Sequence, residues 1–194
     1  TEIDGDQILY LLAKEKFQHN IYLGTRGVVG THMTNQGLEE ALKELDIELI
    51  RSDVGDRYVL EKLEELGWEL GGEQSGHLIC LDSALTGDGI IAAIKFLDAI
   101  NFSNKVYKKN IKNFKKYPQV LKNVKTNDPE KIIKNKKFNA LKKRLEADIT
   151  NNKGRINVRK SGTEKLLRIM VESNDSVKTK NVSEELESFA KNLS

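Results

Sequence analysis

Over its first hundred residues the chain alternates short apolar runs with amphipathic stretches at helical spacing, and this alternation restricts the possible folds most. Ile8, Leu9, Leu11 and Leu12 recur as on one face of a helix from Asp6 to Lys16, with Asp4 or Asp6 available as its cap. Gly27 to Met33 predicts a short buried strand, after which Thr34 or Asn35 opens a helix through Leu38, Ala41, Leu42 and Leu45. Ile47 to Ser52 predicts a second strand, Val54 to Tyr58 a loop, and Val59 to Leu66 a helix closed by Gly67. Trp68 to Leu70 and His77 to Leu81 follow as short strands around the loop Gly71 to Gly76, ahead of a helix from Asp88 to Ile100. Such a succession folds as an α/β layer with a largely parallel sheet.

After the polar break Asn101 to Asn104 the pattern changes. Tyr117 to Lys125 alternates like a half-exposed strand, and Lys131 to Ile149 reads as one helix with Phe138, Leu141 and Leu145 on a face. Arg155 to Arg159 and Leu166 to Glu172 are strands around the loop Lys160 to Lys165, and Ser176 to Leu193 is a final amphipathic helix. The expected fold class is therefore a mixed α/β domain over residues 1–104, followed by a smaller α+β domain over residues 105–194 with an antiparallel sheet backed by helices.

Charge divides the chain at the same place. Of 32 basic and 29 acidic residues, 8 and 19 precede Lys105, leaving 24 and 10 from Lys105 onward. A basic half raises nucleic acid as a ligand. Between Lys105 and Lys153, however, the cations are nearly all lysine diluted by asparagine, with few aromatics, whereas sequence-reading proteins favour arginine forks and stacking platforms. Nucleic acid is disfavoured on that ground. Cys80, the single cysteine, excludes an intrachain disulfide or a multi-cysteine metal site and fits a reducing cytoplasm. No apolar run reaches the length of a membrane span, and the start lacks the pattern of a signal peptide. A soluble, cytoplasmic protein is expected. The first residue is not methionine, which suggests a portion of something longer.

Three loops could carry chemistry. In Gly71-Gly72-Glu73-Gln74-Ser75-Gly76-His77 three glycines surround a carboxylate, an amide, a hydroxyl and an imidazole, a donor and acceptor set suited to sugar hydroxyls; a polar turn is the plainer alternative. In Arg159-Lys160-Ser161-Gly162-Thr163-Glu164, with Arg168 beyond, the guanidinium fork, two hydroxyls and glycine amides suit a phosphate; a hairpin turn with incidental charge is the alternative. The glycine-lysine-threonine spacing of a P-loop is absent. Val54-Gly55-Asp56-Arg57-Tyr58 is weaker, since a surface salt bridge explains Arg57 as well. The acids of Asp4-Gly5-Asp6 and Thr86-Gly87-Asp88-Gly89 each precede a helical run, so capping accounts for them better than metal ligation. No metal site and no pair of carboxylates placed for acid/base work is expected in this chain.

In this order the loops resemble the C-terminal half of the bacterial phosphoglucosamine mutases, within the α-D-phosphohexomutase superfamily. The resemblance rests on Ile3-Asp4-Gly5-Asp6-Gln7, Val29-Gly30-Thr31-His32-Met33-Thr34-Asn35-Gln36-Gly37, Val54 to Lys62, Gly72-Glu73-Gln74-Ser75-Gly76-His77, Thr86-Gly87-Asp88-Gly89 and Arg159-Lys160-Ser161-Gly162-Thr163-Glu164. It runs almost end to end. It implies the third and fourth domains of a four-domain enzyme that interconverts glucosamine 6-phosphate and glucosamine 1-phosphate through glucosamine 1,6-bisphosphate, on the route to UDP-N-acetylglucosamine and the cell wall. It also implies that Glu73, Ser75 and Arg57 hold the sugar and that Arg159, Ser161, Gly162, Thr163 and Arg168 hold the phosphate.

The phosphoserine and Mg2+ loops of such enzymes lie in the first two domains, so the resemblance implies neither catalytic residue nor metal ligand here, and no turnover by this part alone. Its partners are then a hexosamine phosphate and the N-terminal domains, with no membrane. Lys165 stands where the family usually has proline, which loosens the exit of the phosphate loop. Gln74 and Asp56-Arg57-Tyr58 look more like the glucosamine-specific members than the phosphomannomutases or phosphoglucomutases. Those enzymes, or a non-catalytic fragment binding phosphate or nucleic acid, are the alternatives.

Overall fold

The computed structural model describes residues 3–19, 27–102, 114–151, 153–162 and 164–194. They form two compact units, residues 1–116 and 117–194.

The first unit contains α1 (Gly5–His19), β1 (Gly27–Thr31), α2 (Gln36–Lys43), β2 (Glu48–Ser52), α3 (Asp56–Leu66), β3 (Leu70–Gly72), β4 (Leu78–Cys80) and α4 (Gly89–Phe102). The sheet runs in the order β2-β1-β3-β4. β1 is parallel to β2 and to β3, and β4 closes the edge as an antiparallel hairpin on β3. The sheet is largely parallel, as expected, with one antiparallel edge strand that makes it mixed. Successive residues of a strand face opposite sides. Val28 accordingly joins a core with Leu9, Leu12, Leu38 and Leu42 of α1 and α2, to which α4 adds Ala92 and Ala99. Val29 joins Val59 and Leu63 of α3, with Trp68 and Ile79, on the other side.

Local chemistry sets the helix ends. Asp4 accepts from the Gln7 amide at 3.0 Å while the Gln7 side chain accepts from the Asp4 amide at 3.1 Å, a reciprocal box that starts α1. Asn35 caps α2, and Gly67, at φ 65°, ends α3 with the Trp68 amide reaching back to the Leu63 carbonyl. Two expectations need correcting here. Asp56, Arg57 and Tyr58 are the first turn of α3, not part of a loop, and Gly71 and Gly72 are strand residues, paired with Ile79 and Leu78.

The second unit contains β5 (Gln119–Lys125), α5 (Pro129–Ile133), α6 (Lys136–Thr150), β6 (Arg155–Lys160), β7 (Leu166–Glu172) and α7 (Ser176–Lys191). The sheet is antiparallel in the order β5-β7-β6. Leu167, Ile169 and Val171 of the central strand pack with Phe138, Leu145 and Ile149 of α6 and Val182, Leu186 and Ala190 of α7. The helix expected from Lys131 to Ile149 is two helices. Asn135 breaks it by turning its side chain to the Lys137 and Phe138 amides, which starts α6 afresh, while Asp128 and Pro129 open α5. The units divide after Lys116, not after Asn104, because Phe114 packs into the first core. Lys105 to Asn113, which hold much of the lysine-rich stretch, lie outside the described residues. Among the described residues no helix is long and apolar enough to cross a membrane.

Candidate functional site

In the first unit the three parallel strands end side by side, and the residues that follow them are polar: His32 after β1, Asp53 after β2 and Glu73 after β3. In open α/β sheets ligands bind outside the carboxyl ends of parallel strands. His32 Nε2 lies 3.5 Å from Asp53 Oδ1, and both side chains are exposed. Sequence reasoning singles out neither residue as a site candidate. The signal that could have found them is their shared position one residue past a strand.

Glu73 opens the β3–β4 hairpin turn and is only 8% exposed. Its Oε1 accepts from the Gly55 amide at 2.9 Å, at the start of α3, and its Oε2 lies 3.3 Å from His77 Nδ1. Gly55 has no side chain to cap the helix; Asp56 accepts from the Arg57 amide at 2.8 Å, and the Glu73 carboxylate, placed by a distant hairpin, takes the Gly55 amide and meets the positive end of the helix dipole. Two of the roughly four acceptor directions of a carboxylate remain. Ser75 and His77 point outward from the same turn, Ser75 Oγ lying 3.3 Å from His77 Nδ1. Gly76 supplies the turn with φ 100°, a conformation that other residues rarely adopt.

This hairpin is held from beneath by the chain's first described residues. The Gly5 amide donates to the Gln74 carbonyl at 3.1 Å, and a Cβ on Gly5 would collide with the Glu73 carbonyl. Asp6 is fully buried and accepts from the Asn35 amide at 3.0 Å and from Gln74 Nε2 at 3.4 Å. Capping therefore describes Asp4 but not Asp6, which ties the hairpin to the start of α2. Arg57 stands apart. Its side chain is 81% exposed and is bonded to Glu61 one turn along α3, which raises its pKa further.

In the second unit the β6–β7 register sets Arg159 directly across from Arg168, and Asn123 of β5 flanks Arg168 on the other side. Cross-strand partners project to the same face, so two guanidinium groups share one patch on the side opposite Leu167 and Ile169. The connecting loop is drawn in by the Ser161 amide, which donates to the Leu166 carbonyl at 2.9 Å. Gly162 is exposed, and no described atom lies within 4 Å of where its Cβ would stand. Neither its backbone conformation nor packing among the described residues demands glycine there.

Lys160 leaves the patch and bonds Glu130 of α5 at 2.7 Å. That contact, with help from Lys134, lowers the Glu130 pKa and raises that of Lys160. Arg168 Nη2 donates to Glu164 at 3.1 Å. Thr163 lies outside the described residues. Glu73, Ser75 and Arg57 thus belong to the first unit, and Arg159, Ser161, Gly162 and Arg168 gather at one end of the second unit's sheet. Among the described residues no three or more His, Cys, Asp or Glu side chains group as metal ligands would.

A mixed α/β layer followed by a helix-backed antiparallel sheet is the architecture of the third and fourth domains of the phosphohexomutases. Residues 4–117 match the model of the phosphoglucomutase/phosphomannomutase α/β/α domain III, and residues 121–188 match that of the C-terminal domain. The chain belongs to the phosphoglucomutase/phosphomannomutase family. It is 46% identical over 192 residues to the phosphoglucosamine mutase of Actinobacillus succinogenes, covering 99% of this chain and 43% of that relative. The chain therefore spans less than half the length of such relatives. The structure of Aspergillus fumigatus N-acetylphosphoglucosamine mutase in complex with GlcNAc-6P and magnesium is similar with a TM-score of 0.81 at 16% identity, over 98% of this chain and 44% of that one. A serine-to-alanine variant of that enzyme in complex with glucose 1,6-bisphosphate is similar with a TM-score of 0.78 at 16% identity, over 97% of this chain and 43% of that one.

Proposed function

We propose that this chain is the sugar- and phosphate-recognising part of a bacterial phosphoglucosamine mutase, a cytoplasmic isomerase that interconverts glucosamine 6-phosphate and glucosamine 1-phosphate for UDP-N-acetylglucosamine and peptidoglycan synthesis. The observation that carries the proposal is the pairing of Arg159 with Arg168 across the β6–β7 hairpin, beside an open Gly162. Two guanidinium groups on one patch, beside loop hydroxyls and an open glycine, are the donor set that a phosphate takes.

The roles follow from the chemistry. Arg159, Arg168, Ser161, Gly162 and Thr163 bind the substrate phosphate that is not reacting. Glu73 accepts from sugar hydroxyls with the lone pairs left over from Gly55 and His77, Ser75 adds a hydroxyl, and Arg57 contributes from the first turn of α3. None of these is an acid or base for the reaction. Phosphoryl transfer depends on positioning and on neutralising charge, so a fixed grip on the remote phosphate lowers the barrier as well as improving affinity. The phosphoserine and the Mg2+ ligands belong to N-terminal domains outside this chain, and glucosamine 1,6-bisphosphate is the intermediate that turns over between two transfers.

The test is a glucosamine 6-phosphate mutase assay of the 194 residues alone and joined to N-terminal domains of a bacterial relative. No turnover is expected alone and turnover when joined, with Arg159→Ala reducing kcat/KM of the joined enzyme at least about tenfold, as loss of a charge-assisted pair implies. Activity of the isolated chain, or indifference to Arg159→Ala, contradicts the proposal.

A further inference from the structure

The phosphate assignment gives the loop's carboxylate no task. Glu164 follows the glycine-threonine pair, its side chain is 58% exposed, and among the described residues Arg168 is the partner its carboxylate has, at 3.1 Å from Nη2. Lys160 is engaged on α5 by Glu130 and Lys134 also bonds Glu130, so neither draws Glu164 away. A carboxylate on a long side chain therefore rests on the guanidinium whose register neighbour is Arg159. Carboxylate and phosphate recognise the same fork of N–H donors.

We propose that Glu164 is a built-in competitor for the substrate phosphate: its carboxylate occupies Arg168 and must be displaced, which holds the affinity of the loop below what its arginines alone would give. This inference rests on the proposed function and says how that site is tuned. An enzyme whose bisphosphate intermediate must let go and turn round is served by a phosphate grip that opens readily. A carboxylate waiting beside the guanidinium keeps Arg168 neutralised and oriented each time the phosphate leaves.

The test is titration of inorganic phosphate into the 194-residue chain at fixed ionic strength, followed by the backbone amide NMR signals of the β6–β7 loop. Glu164→Gln keeps the shape and an acceptor but removes the charge, and Glu164→Ala removes both. Each is expected to bind phosphate roughly three- to tenfold tighter, the effect of deleting a screened unit charge beside a dianion. Arg168→Ala is expected to bind at least about tenfold weaker, as loss of a charge-assisted bond implies. A purely structural role for Glu164 could only weaken binding. If Glu164→Gln and Glu164→Ala bind equally or less well while Arg168→Ala is impaired, the competitor is refuted and the phosphate assignment stands. If phosphate moves no loop signal in any of the four proteins, the assignment itself falls and the competitor with it. Signals outside the loop that overlay on those of the unaltered chain establish folding in each variant.

Discussion

Asp82→Asn tests how charge secures the first unit. Asp82 lies just past β4, where Oδ2 accepts from Lys16 of α1 at 2.8 Å and Oδ1 meets Lys95 of α4 at 2.9 Å and Ser83 Oγ at 3.0 Å. One carboxylate thus fastens two helices to the sheet edge. Burial pushes its pKa up, but the hydrogen bonds from Lys16 and Lys95 outweigh this and bring it from 3.8 down to about 2. Taken whole, that difference is worth roughly 2.5 kcal/mol. The side chain is 30% exposed, and solvent screening reduces the expected contribution to about 1 kcal/mol.

The sign follows from the lowered pKa: the contribution is complete above about pH 4 and is lost as pH falls through about 2. Asp82→Asn is therefore expected to destabilise the first unit by about 1 kcal/mol at about pH 7, with roughly half of the gap left at about pH 3. Trp68, the only tryptophan, is buried in that unit, so its emission during urea unfolding reports on the right cores. Equal stability at neutral pH refutes the charge argument. So does a gap that is as wide in acid as at neutrality, because a lost packing contact has no such pH dependence.

Two further substitutions separate function from folding in the second unit. Gly162→Ala meets no described atom, so it is expected to leave thermal unfolding unchanged to within about 1 kcal/mol while cutting phosphate affinity severalfold; calorimetry and a phosphate titration read the two effects, and a fall in stability without loss of binding contradicts the expectation. Asn135→Ala removes the side chain that receives the Lys137 and Phe138 amides at 2.9 and 3.1 Å, and should cost about 1 kcal/mol, measured as a lower urea midpoint by circular dichroism with Trp68 emission unaffected.

What the sequence made legible was whatever is encoded locally. The apolar spacing of Leu38, Ala41 and Leu42 marks the buried face of α2, and alternating Leu167, Ile169 and Val171 marks the core side of β7. The break at Asn135 is not legible because apolar residues continue on both sides of it, Ile132 and Ile133 before and Phe138, Leu141 and Leu145 after, and the direction of one side chain decides the matter. The early start of α3 escapes notice for the opposite reason: Gly55 has no side chain to cap the helix, and its own amide is satisfied by Glu73, far along the chain. The same distance hides Asp6, whose partners Asn35 and Gln74 meet it only after folding. Of the candidate site, the loop compositions of Glu73 to His77 and Arg159 to Glu164 stand out in one dimension. The facing of Arg159 and Arg168 depends on strand register, which composition does not fix.

Cys80 sits on the antiparallel edge strand that completes the hairpin bearing Glu73, 5% exposed, with its thiol pKa pushed up by burial. A thiol so shielded reacts slowly with alkylating reagents until the edge strand peels from the sheet. Because the chain has no other cysteine, the rate at which a thiol reagent consumes it is a clock for how often that hairpin detaches. A sugar that grips the hairpin should slow the clock, giving an occupancy readout for the isolated polypeptide that needs neither turnover nor a label.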